Sequence, residues 1–272
     1  IYSDPLTCDG FPEIWDAVDR DCDGNPNKMT ISDASASWYG SYTGNDGFLG
    51  MSLAVMDDYD GDGLRSLAVG GYGNEADGYA GRLYVLDADT GGSKPADVAL
   101  ASTSGVGGAY LGMDMANVGD LDGDGWSELL VGAPGVSGGI LVDGASVAGG
   151  AAGTVSITGP DKSGFDAVAL GDLDGDGAQE FGLGTGWGGS LDFAAWSGAG
   201  AAAGATPDTA LFAISGSADS GHSLGGIDLD GDGVPETLVA SYTGGSGVLA
   251  LVDGQTAAAG GTFDFADFDW QI

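Results

Sequence analysis

A chain of 272 residues with a 43% apolar fraction is long enough to bury a sizeable core in one or two domains. Its formal charge of −35, from 41 acids against six lysines and arginines, leaves no basic footprint. That excludes nucleic acid and anionic membrane surfaces as natural partners. Fifty-five glycines would suit a disordered chain, but regular apolar runs between them argue for a packed fold.

Residues 1–28 form a first segment, CDGFPEIWDAVDRDCDG at its centre, in which Cys8 and Cys22 lie close enough to close one small loop. A disulfide there would place the protein outside the cell, and two free thiols are the other reading. Asp19, Asp21, Asp23 and Asn27 follow a 1-3-5-9 spacing that recurs downstream, so the segment reads either as a cation loop or as an Asp-rich turn. The chain opens on a polar stretch without the apolar core of a signal peptide, as a mature or processed form would. Residues 29–272 form the second region, and its first element, MTISDASASW at 29–38, reads as a strand standing before the repeats.

Four acidic loops then follow: DYDGDGLRS from Asp58, DLDGDGWSE from Asp120, DLDGDGAQE from Asp172 and DLDGDGVPE from Asp228. Each sets three or four carboxylates within nine residues. Two carboxylates about 4 Å apart repel by roughly 4 kcal/mol at an effective dielectric near 20, so such loops call for a counter-ion. Calcium suits them, since it takes many flexible carboxylate and carbonyl oxygens. Positions 1, 3 and 5 supply Asp58, Asp60 and Asp62; Asp120, Asp122 and Asp124; Asp172, Asp174 and Asp176; and Asp228, Asp230 and Asp232. Position 6 is glycine throughout, for a sharp turn, and position 7 (Leu64, Trp126, Ala178, Val234) offers a backbone carbonyl. Position 9 is Glu128, Glu180 and Glu236, three of only five glutamates against 36 aspartates, with Ser66 in the first and weakest copy. An EF-hand is excluded, because position 12 is Val69, Val131, Leu183 or Val239 and an apolar strand follows instead of a helix. Four bound calcium ions would bring the charge from −35 to −27 (−35 + 8). Loops this lightly caged match extracellular calcium levels.

The loops repeat at spacings of 62, 52 and 56 residues, and every unit reads alike. An apolar strand enters the loop (FLGMSLAVM, YLGMDMANVG, GFDAVALG, HSLGGI) and a second leaves it (SLAVGG, ELLVGAP, EFGLGTG, TLVAS). A third follows a glycine-rich turn (GRLYVLD, GGILVDG, SLDFAAW, GVLALVDG), and a fourth closes the unit (DVALAS, GTVSITG, TALFAIS, GTFDFAD). Four short strands per roughly fifty residues predict an all-β propeller of four-stranded blades, four of them complete. The alanine-rich stretch AGAAAGATPDTA (Ala199–Ala210) could form a helical turn, but its glycines and proline favour a loop. The strand at 29–38 could close a ring on the last blade, but that unit already has its own candidate in GTFDFADFDW, which leaves one outer strand surplus. Alternatively FADFDW, with Asp267 and Asp269, begins a truncated fifth unit. A strand left without a partner would recruit a second copy head-to-tail and build a filament.

Phe48-Leu49-Gly50 and Tyr110-Leu111-Gly112 before the loop, GDLDGDG at 119–125 and 171–177, and Gly132-Ala133-Pro134 after it resemble the FG-GAP repeats of integrin alpha subunits and secreted bacterial proteins. The resemblance spans about residues 45–254. It implies a propeller whose Asp loops join first and second strands and hold calcium on one face, with the ligands given above. The family's propellers usually have seven blades, against four units here. The N-terminal segment resembles the Cys-containing, Asp-rich metal motifs of secreted bacterial surface proteins.

Catalysis finds little support. His222 is the only histidine; Ser220 and Ser223 lie beside it, but no nucleophile elbow occurs, so a packing role is expected. The bases Lys28, Lys94, Lys162, Arg20, Arg65 and Arg82 do not cluster in sequence. The expected function is a secreted or cell-surface calcium-binding module, non-catalytic, with itself, other surface proteins or glycans as partners. Two alternatives stand. Exposed Trp126, Trp187 or Trp196 beside calcium would make a lectin, against a reading in which these rings fill space between blades, and a polysaccharide-degrading enzyme would need a base near His222.

Overall fold

The computed structural model describes residues 36–39, 48–73, 75, 78–88, 92–96, 99–186, 191–202, 210–216, 220–243 and 246–264. The two cysteines, the Asp19–Asn27 loop and FADFDW beyond Asp264 lie outside the described residues.

The first unit folds as an antiparallel sheet of β2 (Ser52–Val55), β3 (Leu67–Gly71), β4 (Arg82–Leu86) and β6 (Ala101–Ser104). The second repeats it with β7 (Met115–Asn117), β8 (Leu129–Ala133), β9 (Gly138–Val142) and β10 (Thr154–Thr158). The third does so with β11 (Ser163–Gly171), β12 (Glu180–Thr185), β13 (Phe193–Trp196) and β14 (Phe212–Ser215). The strands are runs of β-branched, aromatic and small apolar residues, buried on both sides in the middle of each sheet, as the all-buried β8 and β12 show. Several four-stranded antiparallel sheets, as propeller blades would be, are thus in place where the repeats predict them.

The fourth unit departs from expectation. β15 (Ser220–Ile227), β16 (Glu236–Thr243) and β17 (Ser246–Val252) make a three-stranded sheet. The expected fourth strand, β18 (Gly261–Asp264), instead runs parallel to β14 and extends the third sheet to five strands. Phe263 packs edge-on against Phe212 at 6.1 Å, which draws β18 onto the β14 edge. Among the described residues, three units carry four strands of their own and the fourth carries three.

The leading strand is also reassigned. β1 (Ala36–Tyr39) pairs in parallel with β5 (Gly92–Pro95), an excursion between the third and fourth strands of the first unit, and not with the last sheet. Trp38 packs there against the cluster of Val69, Tyr84, Leu86 and Ala96, so apolar burial against the first sheet decides its partner.

A further departure is helical. α1 (Gly144–Ala148), α2 (Gly198–Ala202) and α3 (Gly254–Ala258) each follow the third strand of units two, three and four. Asp143 and Asp253 cap α1 and α3, accepting from the Ser146 and Thr256 amides. The expected loop from Ala199 therefore begins as a helical turn.

The core lies between sheets. Leu83, Val85, Met115 and Val131 fill the first junction; Leu130, Leu141, Phe181 and Trp196 the second; Phe193, Phe212, Val239 and Val252 the third. Each such side chain stabilises by about 1.5–3 kcal/mol on burial, so the junctions, more than the turns, hold the units in register.

Candidate metal sites

Each acidic loop is the connection between the first and second strands of its unit. The hairpin is closed by backbone pairs such as Val118 N–H to Glu128 O and Glu128 N–H to Gly119 O. Within the loop, glycines at positions 4 and 6 take positive φ, 78° and 96° at Gly123 and Gly125, which coils the chain tightly enough to aim amides inward. The position 1 aspartate collects them. Asp120 accepts from Gly123, Asp124 and Gly125, and Asp58 and Asp172 do the same in their loops. These donors, Gly63 foremost, hold the Asp58 carboxyl below its ordinary pKa and so favour the charged, ligating form.

Position 9 supplies the second fixed group. One oxygen of Glu128, Glu180 and Glu236 accepts from the position 2 amide of its own loop, each at 2.6 Å. All three glutamates are buried. The helices explain how they are held. Gly144, first residue of α1, donates to Glu128 Oε1 at 3.3 Å, so the helix start faces the site. Only glycine fits there: a Cβ on Gly144, Gly198 or Gly254 would stand 2.5, 2.0 and 2.6 Å from the position 8 carbonyl oxygen.

The resulting oxygens converge. Asp120, Asp122 and Glu128 bring one carboxylate oxygen each within 4.8 Å of one another, as do Asp172, Asp174 and Glu180, and Asp228, Asp230 and Glu236. In the first loop Asp58, Asp60 and Asp62 form the group, and Ser66, at position 9, is buried. The position 5 residues Asp124, Asp176 and Asp232 are not in these groups; each accepts from the position 7 amide, as Asp62 does within the first group.

The donors fit a hard divalent cation. Oxygens on opposite sides of calcium lie about 4.6–5.2 Å apart, twice its usual bond length, which accommodates the observed grouping. Glu180 Oε1 is buried without a close hydrogen-bond partner, although the Gly198 amide at the start of α2 lies near enough to Glu180 to favour its charged form. Burial, reinforced by Asp174 and Asp176, pushes Glu180 up to about 7, and burial with Asp122 and Asp124 does the same to Glu128. A cation at the centre would reverse both shifts.

The loops sit side by side. The Ser127 amide at position 8 donates to Asp57 of the preceding unit, and Tyr59 donates to Ser127 O at 2.7 Å. Gln179 and Pro235, also at position 8, cover Gly119 and Gly171 in the same manner. Trp126 packs on Tyr59 with ring centroids 5.4 Å apart, and Trp196 is buried against Phe181. Both rings fill space between units. Trp187 lies outside the described residues, and of His222 only the place on β15 is described.

An aromatic row at the opposite end of the hairpins went unread in the sequence. Phe48 stacks on Tyr72 at 4.5 Å, Tyr72 reaches Tyr110, and Tyr110 meets Tyr79 at 5.4 Å. Phe48 and Tyr110 both take positive φ, ten residues ahead of their loops, as does Lys162 in the third unit. That shared spacing was the signal that could have found it.

The FG-GAP repeat family model matches residues 116–157, which run from the middle of β7 into β10 and so comprise the second sheet with its acidic loop. The match falls on the second unit and is to the family that the motifs resemble. Among solved structures the chain is similar to the V. cholerae biofilm matrix protein Bap1, at 18% identity and a TM-score of 0.48. That match covers 87% of this chain and 33% of Bap1, so the chain spans about a third of that protein's length. No curated protein sequence is significantly similar. No helix among the described residues is long and apolar enough to cross a membrane.

Proposed function

We propose that this protein is a calcium-loaded, FG-GAP-type β-propeller module of the cell exterior that serves in surface adhesion or structural assembly and has no catalytic activity. One observation carries the reading: four loops in series each gather carboxylate oxygens to within 4.8 Å, three of them around a buried glutamate. Asp120, Asp122, Asp124, Glu128 and the Trp126 carbonyl would hold one ion, the equivalent residues of the third and fourth loops two more, and Asp58, Asp60, Asp62 and Ser66 with the Leu64 carbonyl the fourth. The ion neutralises the loop and ties the first two strands of a sheet to the following helix. Its work is mechanical, since binding free energy adds directly to folding free energy. Filament growth by strand addition is supported by β17, which ends its sheet without a fourth strand among the described residues.

Calorimetric titration of the metal-stripped protein tests the reading. Four calcium equivalents and a large rise in melting temperature are expected; no bound calcium and a melt unaffected by EDTA would overturn it.

A further inference from the structure

The first and second acidic loops are joined by a pair of hydrogen bonds that centre on one residue. Ser127, at position 8 of the second loop, donates its amide to Asp57 Oδ2 at 2.7 Å, and its carbonyl accepts from the Tyr59 hydroxyl, also at 2.7 Å. Its two neighbours are Trp126, which offers the position 7 carbonyl, and Glu128, the buried carboxylate at position 9. Asp57 and Tyr59 are in turn the two neighbours of Asp58, the carboxylate that gathers the amides of the first loop. Each loop therefore holds the other by residues directly beside its own candidate ligands. The Tyr59 ring is buried and packs on Trp126, which fixes the direction of its hydroxyl.

The later junctions do not have the groups for this pair. Gly119 and Gly171 take the place of Asp57, Leu121 and Leu173 take that of Tyr59, and Pro235 at position 8 of the fourth loop has no amide hydrogen. Gln179 and Pro235 cover the glycines with their side chains instead. The first loop is also the one that needs support, because Ser66 stands where the other three carry a buried glutamate.

We infer that the first and second loops take up calcium as a coupled pair, the first relying on the second. The inference rests on the calcium reading given above and adds which sites depend on one another. Repulsion among the carboxylates opposes the closing of an empty loop, so part of the binding free energy goes into ordering it. With Trp126 and Glu128 held as ligands, Ser127 is fixed between them and anchors Asp57 and Tyr59, and the first loop then closes at less cost. Linkage makes the coupling reciprocal: whatever factor in affinity the second site gives the first, the first returns. The third and fourth loops fill without this link.

Equilibrium dialysis of the full chain tests this, at the free calcium that just saturates the wild type. Asp122→Ala and Asp174→Ala each remove the exposed position 3 carboxylate of one loop, so their general effects on the fold match. Asp122→Ala is expected to lose two ions, its own and that of the first loop, and Asp174→Ala to lose one. Tyr59→Phe keeps every ligand and the packed ring but not the hydroxyl. It is expected to lose the first-loop ion at that concentration and to regain it at about fivefold higher calcium, the effect of one hydrogen bond. Equal losses in the two alanine variants, or a Tyr59→Phe isotherm that superposes on the wild type, would overturn the inference. A wild type that binds no calcium would overturn the calcium reading on which it stands, so the two failures are told apart.

Discussion

Replacing Glu180 with Gln removes one charge from the third loop while keeping its shape and the acceptor for the Leu173 amide. Two opposing effects follow, and calcium decides which wins. Without metal, burial raises Glu180 from 4.5 to about 7, so charging it at about pH 8 is unfavourable in the fold. Every tenfold change in proton affinity corresponds to about 1.4 kcal/mol, and discounting for the solvent that reaches the rest of the loop leaves on the order of 1–2 kcal/mol. The sign follows from a folded pKa above the unfolded one: the folded state holds the proton longer, so metal-free stability is present below about 4.5 and declines as pH rises through about 7. Glu180→Gln escapes that decline. In EDTA at about pH 8 the variant should melt higher than wild type by roughly 2–6 °C. In calcium the order should invert, because the variant lacks a charged ligand and binds one ion fewer or far more weakly. Circular dichroism melts in the two buffers read both arms. A variant that melts lower in both would refute the reasoning, since Glu180 would then act only through its hydrogen bonds.

Asp122→Ala should abolish calcium binding at the second loop and lower the calcium-loaded melt, whereas Ser66→Ala should leave stoichiometry unchanged; titration calorimetry compares them. Gly198→Ala would put a methyl 2.0 Å from Gln179 O and 2.9 Å from Leu121 Cδ2, and should destabilise by about 2–3 kcal/mol with or without calcium. Gly149→Ala, whose nearest contact is 3.3 Å, should shift denaturant unfolding by about 0.5 kcal/mol or less. Trp196→Ala should cost about 3–5 kcal/mol, because its ring is buried in the junction between second and third sheets.

The acidic loops, the first three strands of every unit and the exclusion of an EF-hand were legible in the sequence, because each depends on neighbours within about ten residues. Glycines at fixed loop positions and glutamate at position 9 are local chemistry, and the structure uses them locally. The helical turns at 144–148 and 254–258 were missed and the one at 198–202 passed over for a loop, because five residues give no amphipathic stripe; Asp-Gly at 143–144 and 253–254 announced two of them. The role of those glycines, closing against the position 8 carbonyl, has no signature in a single strand of sequence.

What the sequence by itself determined is the repeat: where a carboxylate loop falls, which strands flank it, and that oxygens gather there. Only the tertiary structure decided which edge takes an outlying strand. β1 went to β5 and β18 to β14, because burial of Trp38 and Phe263 is settled by whatever apolar surface lies within reach, and that surface is built from residues distant along the chain.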